Sequence, residues 1–389
     1  MSVDFKPTAE SELDDVRALL LSTFQVQADA PFANADLLRW KYFDPGRNGG
    51  SPRSFIMKQA NQAVAHLGIS PVRLLLPGRE VPGQCFMDWA GTRGLPGVGV
   101  VLMKRLMQTS EVGVVAGGDE PTRAVIPQLG FAPYGSLEYF VRIIRPLQRY
   151  LERSLPSGSN WKDLARLARN ALWRVSPLLP APEAWSVKPV SRFEAGAWYN
   201  WPTSTLTLTR RDPDVLNYWL RCPRGAFSGF ELFFAGQRCG YFLLNKIAGQ
   251  TRIVDLRVGA EEPQAWQAAF TLASRAAAED HDTSEIFAVA SNPLVKEAIR
   301  RNGFRKRHQA PLFIYDPGNL MADHSPCTGI PSMTTPRLSN KLDPSPDYRV
   351  ARRTTGDSSR KNNSMSCWNS GSSASSLAMT VRCFFVLGA

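Results

Sequence analysis

The residues best suited to chemistry lie in one stretch, Phe86 to Gln108, which reads FMDWAGTRGLPGVGVVLMKRLMQ. Cys85, Met87 and Trp89 alternate as strand residues do, the run breaks at Gly91, and the loop that follows carries Gly94, Gly97 and Gly99. Val98, Val101, Leu102 and Leu106 then recur at helical spacing, with Lys104 and Arg105 on the other side. Strand, glycine-rich turn and helix leave backbone N–H groups open at a helix N-terminus, where the peptide dipoles favour an anion. A diphosphate is the natural ligand for such a turn. A plain strand-to-helix connection accounts for the same glycines, so the motif needs support from elsewhere in the chain.

That support lies downstream. Val112 to Phe140 reads as strand, helix, the tripeptide Leu129-Gly130-Phe131 and a further strand. Together the two stretches resemble the GNAT superfamily of acyl-CoA N-acyltransferases. In that family the loop reads Arg/Gln-x-x-Gly-x-Gly/Ala and grips the coenzyme A pyrophosphate. Gly97 and Gly99 stand at the two small positions, while Arg93 comes one residue early because Pro96 is inserted. The resemblance implies that Trp89, Ala90, Arg93, Gly94, Gly97, Val98 and Gly99 meet acetyl-CoA or another acyl-CoA as co-substrate, with no metal. Main-chain amides near Trp89 and Ala90 would polarise the thioester. Asp88, on the same strand, is the best-placed carboxylate to take the amine's proton, directly or through water; a neighbouring helix or loop holding it is the competing explanation. The family's usual acid is a Tyr four residues before the Gly of Gly-Phe, and Ile126 stands there instead. Tyr134 and Tyr139 are the substitutes, although strand aromatics more often pack. Asp119 takes the place of a family Asn, and with Glu120 it either caps the next helix or touches the acceptor.

The elements that must position these residues come in the same order as in the family. SELDDVRALLLSTF is an amphipathic helix, with Ser11 as its expected cap and Leu13, Val16, Leu19 and Leu20 on the buried face. ADLLRWKYFDP gives a second helix that buries Leu37, Leu38 and Trp40. The resemblance places Trp40 and Tyr42 at the wall of the acceptor site. Strands are expected at residues 54–58, 63–70 and 72–76.

The chain from Ser186 to Tyr315 repeats the first part. Asp36-Leu37-Leu38-Arg39-Trp40 with Pro45 matches Asp214-Val215-Leu216-Asn217-Tyr218 with Pro223, and Val125-Ile126 with Gly130-Phe131 matches Ala298-Ile299 with Gly303-Phe304. Two matches at nearly equal offsets mark an internal duplication. GFELFFAG and CGYFLLNK form a hairpin around Gly236-Gln237-Arg238, Thr251–Val258 is the counterpart of the central strand, and a helix covers Pro263–Ala278. Asn292 keeps the family Asn, whereas Ile299 again replaces the Tyr. The segment GAEEPQAW puts carboxylates where a diphosphate would need open amides, so the second copy is expected to be structural or to wall the acceptor cleft.

Composition sets the outer limits. A chain of 389 residues with 43% hydrophobic residues supports two folded units. The expected class is α/β (α+β): two tandem GNAT-like mixed-sheet domains with flanking helices. Residues 1–145 form the acyl-CoA-binding domain, 146–185 a basic helical linker, 186–318 a degenerate second domain, and 319–389 a disordered tail rich in Ser, Asn, Thr and Pro. Six scattered cysteines and four histidines point to neither a disulfide framework nor a zinc site. Neither a membrane span nor a signal peptide is read from the sequence, so the expected location is cytoplasmic. The net charge of +12 is concentrated partly in the linker, which could touch an anionic membrane surface weakly; no nucleic-acid module accompanies it. The expected activity is transfer of an acetyl or other acyl group from coenzyme A to a small-molecule amine. Resemblance of the WKYFDP and DWAGTRGL regions to proteins of surface-polysaccharide pathways suggests an amino sugar. The alternatives are a non-catalytic binding or scaffold protein on the same fold, and a Fem-type aminoacyl transferase that would use charged tRNA.

Overall fold

The computed structural model describes residues 3–48, 51–76, 79–154, 161–173, 177–196, 208–260 and 262–321. The first half runs β1 (Asp4–Pro7), α1 (Leu13–Phe24), α2 (Ala35–Phe43), α3 (Pro45–Asn48), β2 (Ser54–Gln59), β3 (Gln62–Leu76), β4 (Arg79–Gly91), α4 (Val98–Met107), β5 (Val112–Ala116), α5 (Glu120–Val125) and β6 (Ala132–Ile143). Two connector helices follow, α6 (Pro146–Ser154) and α7 (Trp161–Trp173). The second half runs β7 (Trp185–Val190), β8 (Leu208–Thr209), α8 (Pro213–Leu220), β9 (Ala226–Phe234), β10 (Gln237–Ile247), β11 (Gln250–Val258), α9 (Pro263–Glu279), β12 (Glu285–Ala290), α10 (Pro293–Arg301) and β13 (Arg305–Tyr315).

From α2 and α8 onward the two halves repeat the same succession, and the sheet expresses that repeat with a twist of topology. Among the described residues the strands form one 13-stranded mixed sheet in the order β1-β2-β3-β4-β5-β13-β6-β12-β11-β10-β9-β7, with β8 paired to β3 off this path. The order is symmetric about its middle, where β6 and β13 have each crossed to the opposite half. Each half therefore lends its last strand to the other: β13 pairs with β5, and β6 pairs with β12. The expected boundaries at residues 145 and 186 therefore do not divide the strands into two sheets. Ile143 and Ile314 are both buried within the shared sheet, so neither half could be cut free without stripping one apolar strand from the other.

Equivalent residues of the two repeats meet at the centre. Trp40 and Tyr218 stack with ring centroids 4.3 Å apart. Trp40 Nε1–H donates to the Tyr218 carbonyl and the Tyr218 hydroxyl donates to the Trp40 carbonyl, each at 3.2 Å. This is the reciprocal contact expected of a twofold interface, here within one chain.

Local sequence explains the helices that frame the site. α1 buries Leu13, Val16, Leu19 and Leu20 as its period predicts, but Ser11 does not cap it. A short 3₁₀ turn at Glu10–Glu12 precedes the helix, and the Glu12 carboxylate accepts from the Ala9 amide at 3.0 Å. α2 is capped by Asn34, whose Oδ1 accepts from the Leu37 amide at 3.0 Å. β3 runs straight through Pro71, so two expected strands are one. α4 buries Val98, Leu102, Met103, Leu106 and Met107, whereas Val101 is 45% exposed; the buried stripe is centred on Met103 rather than on Val101. The hairpin between β9 and β10 turns at Ala235-Gly236, one residue before the expected centre. Of the expected tail, Asn319 to Met321 are ordered against the body and Met321 is buried; residues 322–389 lie outside the described residues.

Candidate active site

β4 carries an irregularity that shapes everything around it. Its register with β3 passes from Gly68↔Met87 to His66↔Ala90, so Asp88 and Trp89 together oppose Leu67. This is a β-bulge, one extra residue that bends the strand. Asp88 sits at its apex in the left-handed region, with φ 50°, a conformation that Asp adopts more readily than most residues but still at a cost.

Buried partners hold the bulge in place. The Lys41 ammonium and the Tyr42 hydroxyl of α2 both donate to Asp88 Oδ2, and both side chains are buried. Lys41 is fully enclosed and the Asp88 side chain keeps only 6% of its exposure. The backbone of Asp88 is gripped as well: His66 Nδ1–H donates to its carbonyl at 3.0 Å, which fixes the tautomer, and His66 Nε2 accepts from Ser54 Oγ at 2.9 Å. Burial pushes the His66 pKa down to about 4, so the ring is neutral at pH 7. Gly68 is required beneath this cluster, because a Cβ there would come within 2.6 Å of the Tyr42 hydroxyl.

On its other edge β4 opens. It is in register with β5 only from Gly83↔Val112 to Cys85↔Val114, although β4 continues to Gly91 and β5 to Ala116. Beyond Cys85 the two parallel strands diverge, and the bulge lies beside the resulting gap. At the end of β4 the chain turns into α4. Gly97 takes φ 84° at the helix cap, where no side chain bonds the first turn, and a Cβ placed there would meet nothing within 4 Å. Among the described residues no backbone carbonyl accepts from the amides of Gly97, Gly99 and Val100. Trp89 Nε1–H donates to the Gly99 carbonyl at 2.8 Å; it pins the turn by its acceptor side and leaves the donors free. Such a turn fits a phosphate group, whose oxygens need those donors. Arg93 and Gly94 are exposed on the same turn.

The other residues singled out from the sequence fall differently. Trp40 is consumed by its stack on Tyr218 and Tyr42 by its bond to Asp88, so both support the site from behind rather than forming an open acceptor wall. Asp119 caps α5, its Oδ1 accepting from the Thr122 amide at 2.9 Å, and Glu120 is exposed beside it. Asn292 does the same for α10. Tyr134 and Tyr139 stand on β6, which the strand exchange moves three places from β4, roughly 14 Å at about 4.8 Å per strand. Tyr139 is buried and stacks on His308 with centroids 4.0 Å apart. Lys41 and His66, both bonded to Asp88, were passed over by sequence reasoning; the signal for Lys41 was a cation within the buried face of a helix.

The fold is similar to that of solved acyltransferase structures. No protein-family model matches the chain, and no curated protein matches it. Solved structures do. The chain is similar to a GCN5-related N-acetyltransferase from Anabaena variabilis, with TM-score 0.53 and 12% identity over 80% of this chain and 72% of that one. It is also similar to Saccharomyces cerevisiae N-myristoyltransferase with bound myristoyl-CoA, with TM-score 0.53 and 13% identity over 81% and 83%, and to a probable N-acyltransferase from Enterococcus faecalis, with TM-score 0.50 and 12% identity over 81% and 72%. The fold is that of the GNAT superfamily, a mixed α/β sheet flanked by helices. Among the described residues no helix is long and apolar enough to cross a membrane, and no cluster of His, Cys, Asp and Glu could hold a metal ion.

Proposed function

We propose that the protein is an acyl-CoA-dependent N-acyltransferase whose donor site is the gap between β4 and β5. The observation that carries this reading is the uncapped turn at Gly97, whose open amides follow the bulged strand where the β4–β5 ladder has ended at Cys85–Val114. The turn from Arg93 to Val100 receives the diphosphate. The bulged backbone around Trp89 and Ala90 donates to the thioester oxygen, where negative charge develops as an amine attacks. Asp88 takes a different role from the one its sequence position suggests. Its carboxylate is already engaged by the Lys41 ammonium and the Tyr42 hydroxyl, so its task is to hold the bulge at the spacing the thioester needs. The acceptor is a small-molecule amine, with an amino sugar the class favoured by the resemblance of the WKYFDP and DWAGTRGL regions.

Calorimetric titration with acetyl-CoA and a longer acyl-CoA tests the donor site. The wild-type chain binds at least one of them, and Gly97→Asp weakens that binding at least tenfold, because it adds a carboxylate to the diphosphate turn. Equal affinity in the variant removes the turn from the donor site. Lys41→Met and Asp88→Asn then separate the roles of Asp88. If Asp88 positions the bulge, both variants lower turnover to a similar degree with the pH profile kept; loss of the acid limb, where a general base becomes protonated, in Asp88→Asn alone returns it to proton transfer.

A further inference from the structure

The second half buries a polar row that the donor site does not use. Phe227 on β9, Asn245 on β10, Arg252 on β11, Phe287 on β12 and Val141 on β6 are in register across the sheet, so their side chains share one face. α8 covers the next positions on that face, packing Leu216, Tyr218 and Trp219 against Leu243 and Val254. It ends at Leu220, and the loop after it delivers Arg224 to the row. A Cβ on the adjoining Gly225 would lie 2.2 Å from Asn245 Oδ1, so loop and row are in direct contact.

Three polar groups meet there with their bonding capacity unused. Arg224 Nη1 and Asn245 Oδ1 are buried and have no hydrogen-bond partner among the described residues. Arg252 is buried, lies over the Phe287 ring at 5.8 Å, and among the described residues makes a hydrogen bond only from Nε, to Gln250 Oε1 at 2.6 Å. The neighbouring carboxylate, Glu285, is held by Arg149 at 2.7 Å and by Gln250. The two guanidiniums therefore lie within electrostatic reach of each other, and among the described residues neither has a bonded carboxylate. Burial, and next the charge of Arg224, push the Arg252 pKa down to about 10. Buried cations with open donors are costly unless an anion joins them.

We propose that Arg224, Asn245 and Arg252 form a binding site for an oxyanion, the carboxylate or phosphate of a small ligand. Paired guanidinium forks match both geometries. Phe287, with Tyr139 at 5.9 Å from it, supplies an apolar floor for the rest of the ligand. The site is independent of the donor turn, since it belongs to the other half of the sheet.

The test titrates inorganic phosphate and succinate separately into the full chain carrying Gly97→Asp, so that the donor turn does not contribute. Phosphate binding is read from ³¹P line width and succinate from displacement of phosphate and from melting temperature. At least one anion binds saturably, and Arg224→Gln and Arg252→Gln each weaken it about tenfold or more. Preference for phosphate or for succinate assigns the ligand's class. Without any anion the two variants melt at or above the temperature of the parent, because a like-charge contact has gone. Absence of saturable binding, equal affinity in the variants, or a lowered melting temperature of Arg252→Gln without anion overturns the site and makes these residues structural.

Discussion

Replacing Lys41 by Met is the sharpest probe of how the bulge is held. Lys41 and Asp88 are an enclosed ion pair, with side-chain exposures of 0% and 6%. Methionine fills the lysine's volume but removes its charge, and among the described residues the Asp88 carboxylate keeps only the Tyr42 hydroxyl as a side-chain donor. Breaking one partner of a buried pair costs about 3–5 kcal/mol, because the desolvated charge that remains has lost its counter-ion. Asp88→Asn strands the ammonium in the same way. The double variant leaves no charge behind, so its loss falls short of the sum of the two single losses by at least about 2 kcal/mol. Urea unfolding of the four chains at pH 7.5, followed by tryptophan fluorescence, measures the cycle. Additive losses, or a cost below about 1 kcal/mol for Lys41→Met, would refute the view that this pair fixes the bulge.

Further predictions follow from neighbouring groups. His66 titrates at about 4 in the fold against 6.5 as a free side chain, through burial. As pH falls below 6.5 the unfolded chain gains a proton that the folded one refuses, so stability present above pH 6.5 is lost between 6.5 and 4, by roughly 3 kcal/mol. His66→Gln should flatten urea-unfolding stability across that window; an unchanged slope would show that His66 is not the group responsible. For Glu12, burial raises the pKa, but hydrogen bonds from Lys58, the Ala9 amide and Lys6 outweigh it and hold the carboxyl at about 2. A further fall in stability between pH 4.5 and 2 is therefore expected, and Glu12→Gln should reduce it in the same assay. Trp40→Ala removes the central stack and a donor to the Tyr218 carbonyl, and should cost about 3–5 kcal/mol; a loss under 1 kcal/mol would mean the halves are joined by the sheet alone.

Much of the fold was legible because it rests on local rules. The apolar spacing in α1, the turn glycines after β4 and the Gly-Phe pair before β6 each obey a period or a backbone requirement that a single segment displays. The matching segments around Trp40 and Tyr218 were visible for the same reason, but the stacking of these two side chains on each other was not. What the sequence hid was non-local. Nothing within residues 132–143 or 305–315 says that these strands change partners, because each opens polar or exposed and ends in a buried apolar stretch that either neighbour would accept. The displacement of Tyr134 and Tyr139 from β4 follows from that exchange alone. Asp88 was found as a carboxylate on the central strand, but its partners, 46 and 47 residues away, decide whether it moves a proton or holds a backbone.

The exchange also bears on why the two halves diverge in chemistry. β11 is in register with the parallel strand β12 only from Gln250↔Glu285 to Arg252↔Phe287 and then separates from it, as β4 does from β5. Both halves therefore retain an opened ladder, which makes it a property of the fold rather than evidence of activity in either half. What differs is the charge placed around each gap. The first half follows its bulge with the uncapped turn at Gly97, which offers donors to a diphosphate. In the second half α9 starts behind Glu262, and the helix carries its own anion there. Asp255 on β11 is buried and bonded to Arg211 at 3.1 Å and to the Tyr241 hydroxyl at 2.9 Å, a neutralised cluster where the first half has Lys41, Tyr42 and Asp88. Open positive charge in the second half lies on Arg252, at the last rung of the β11–β12 ladder, and on Arg224 beside it. A shared backbone thus presents anion-seeking groups at different positions in its two copies. Gly97→Asp and Arg252→Gln should accordingly act on different ligands, and measuring each variant against both acetyl-CoA and phosphate decides whether the halves have divided donor and anion recognition between them.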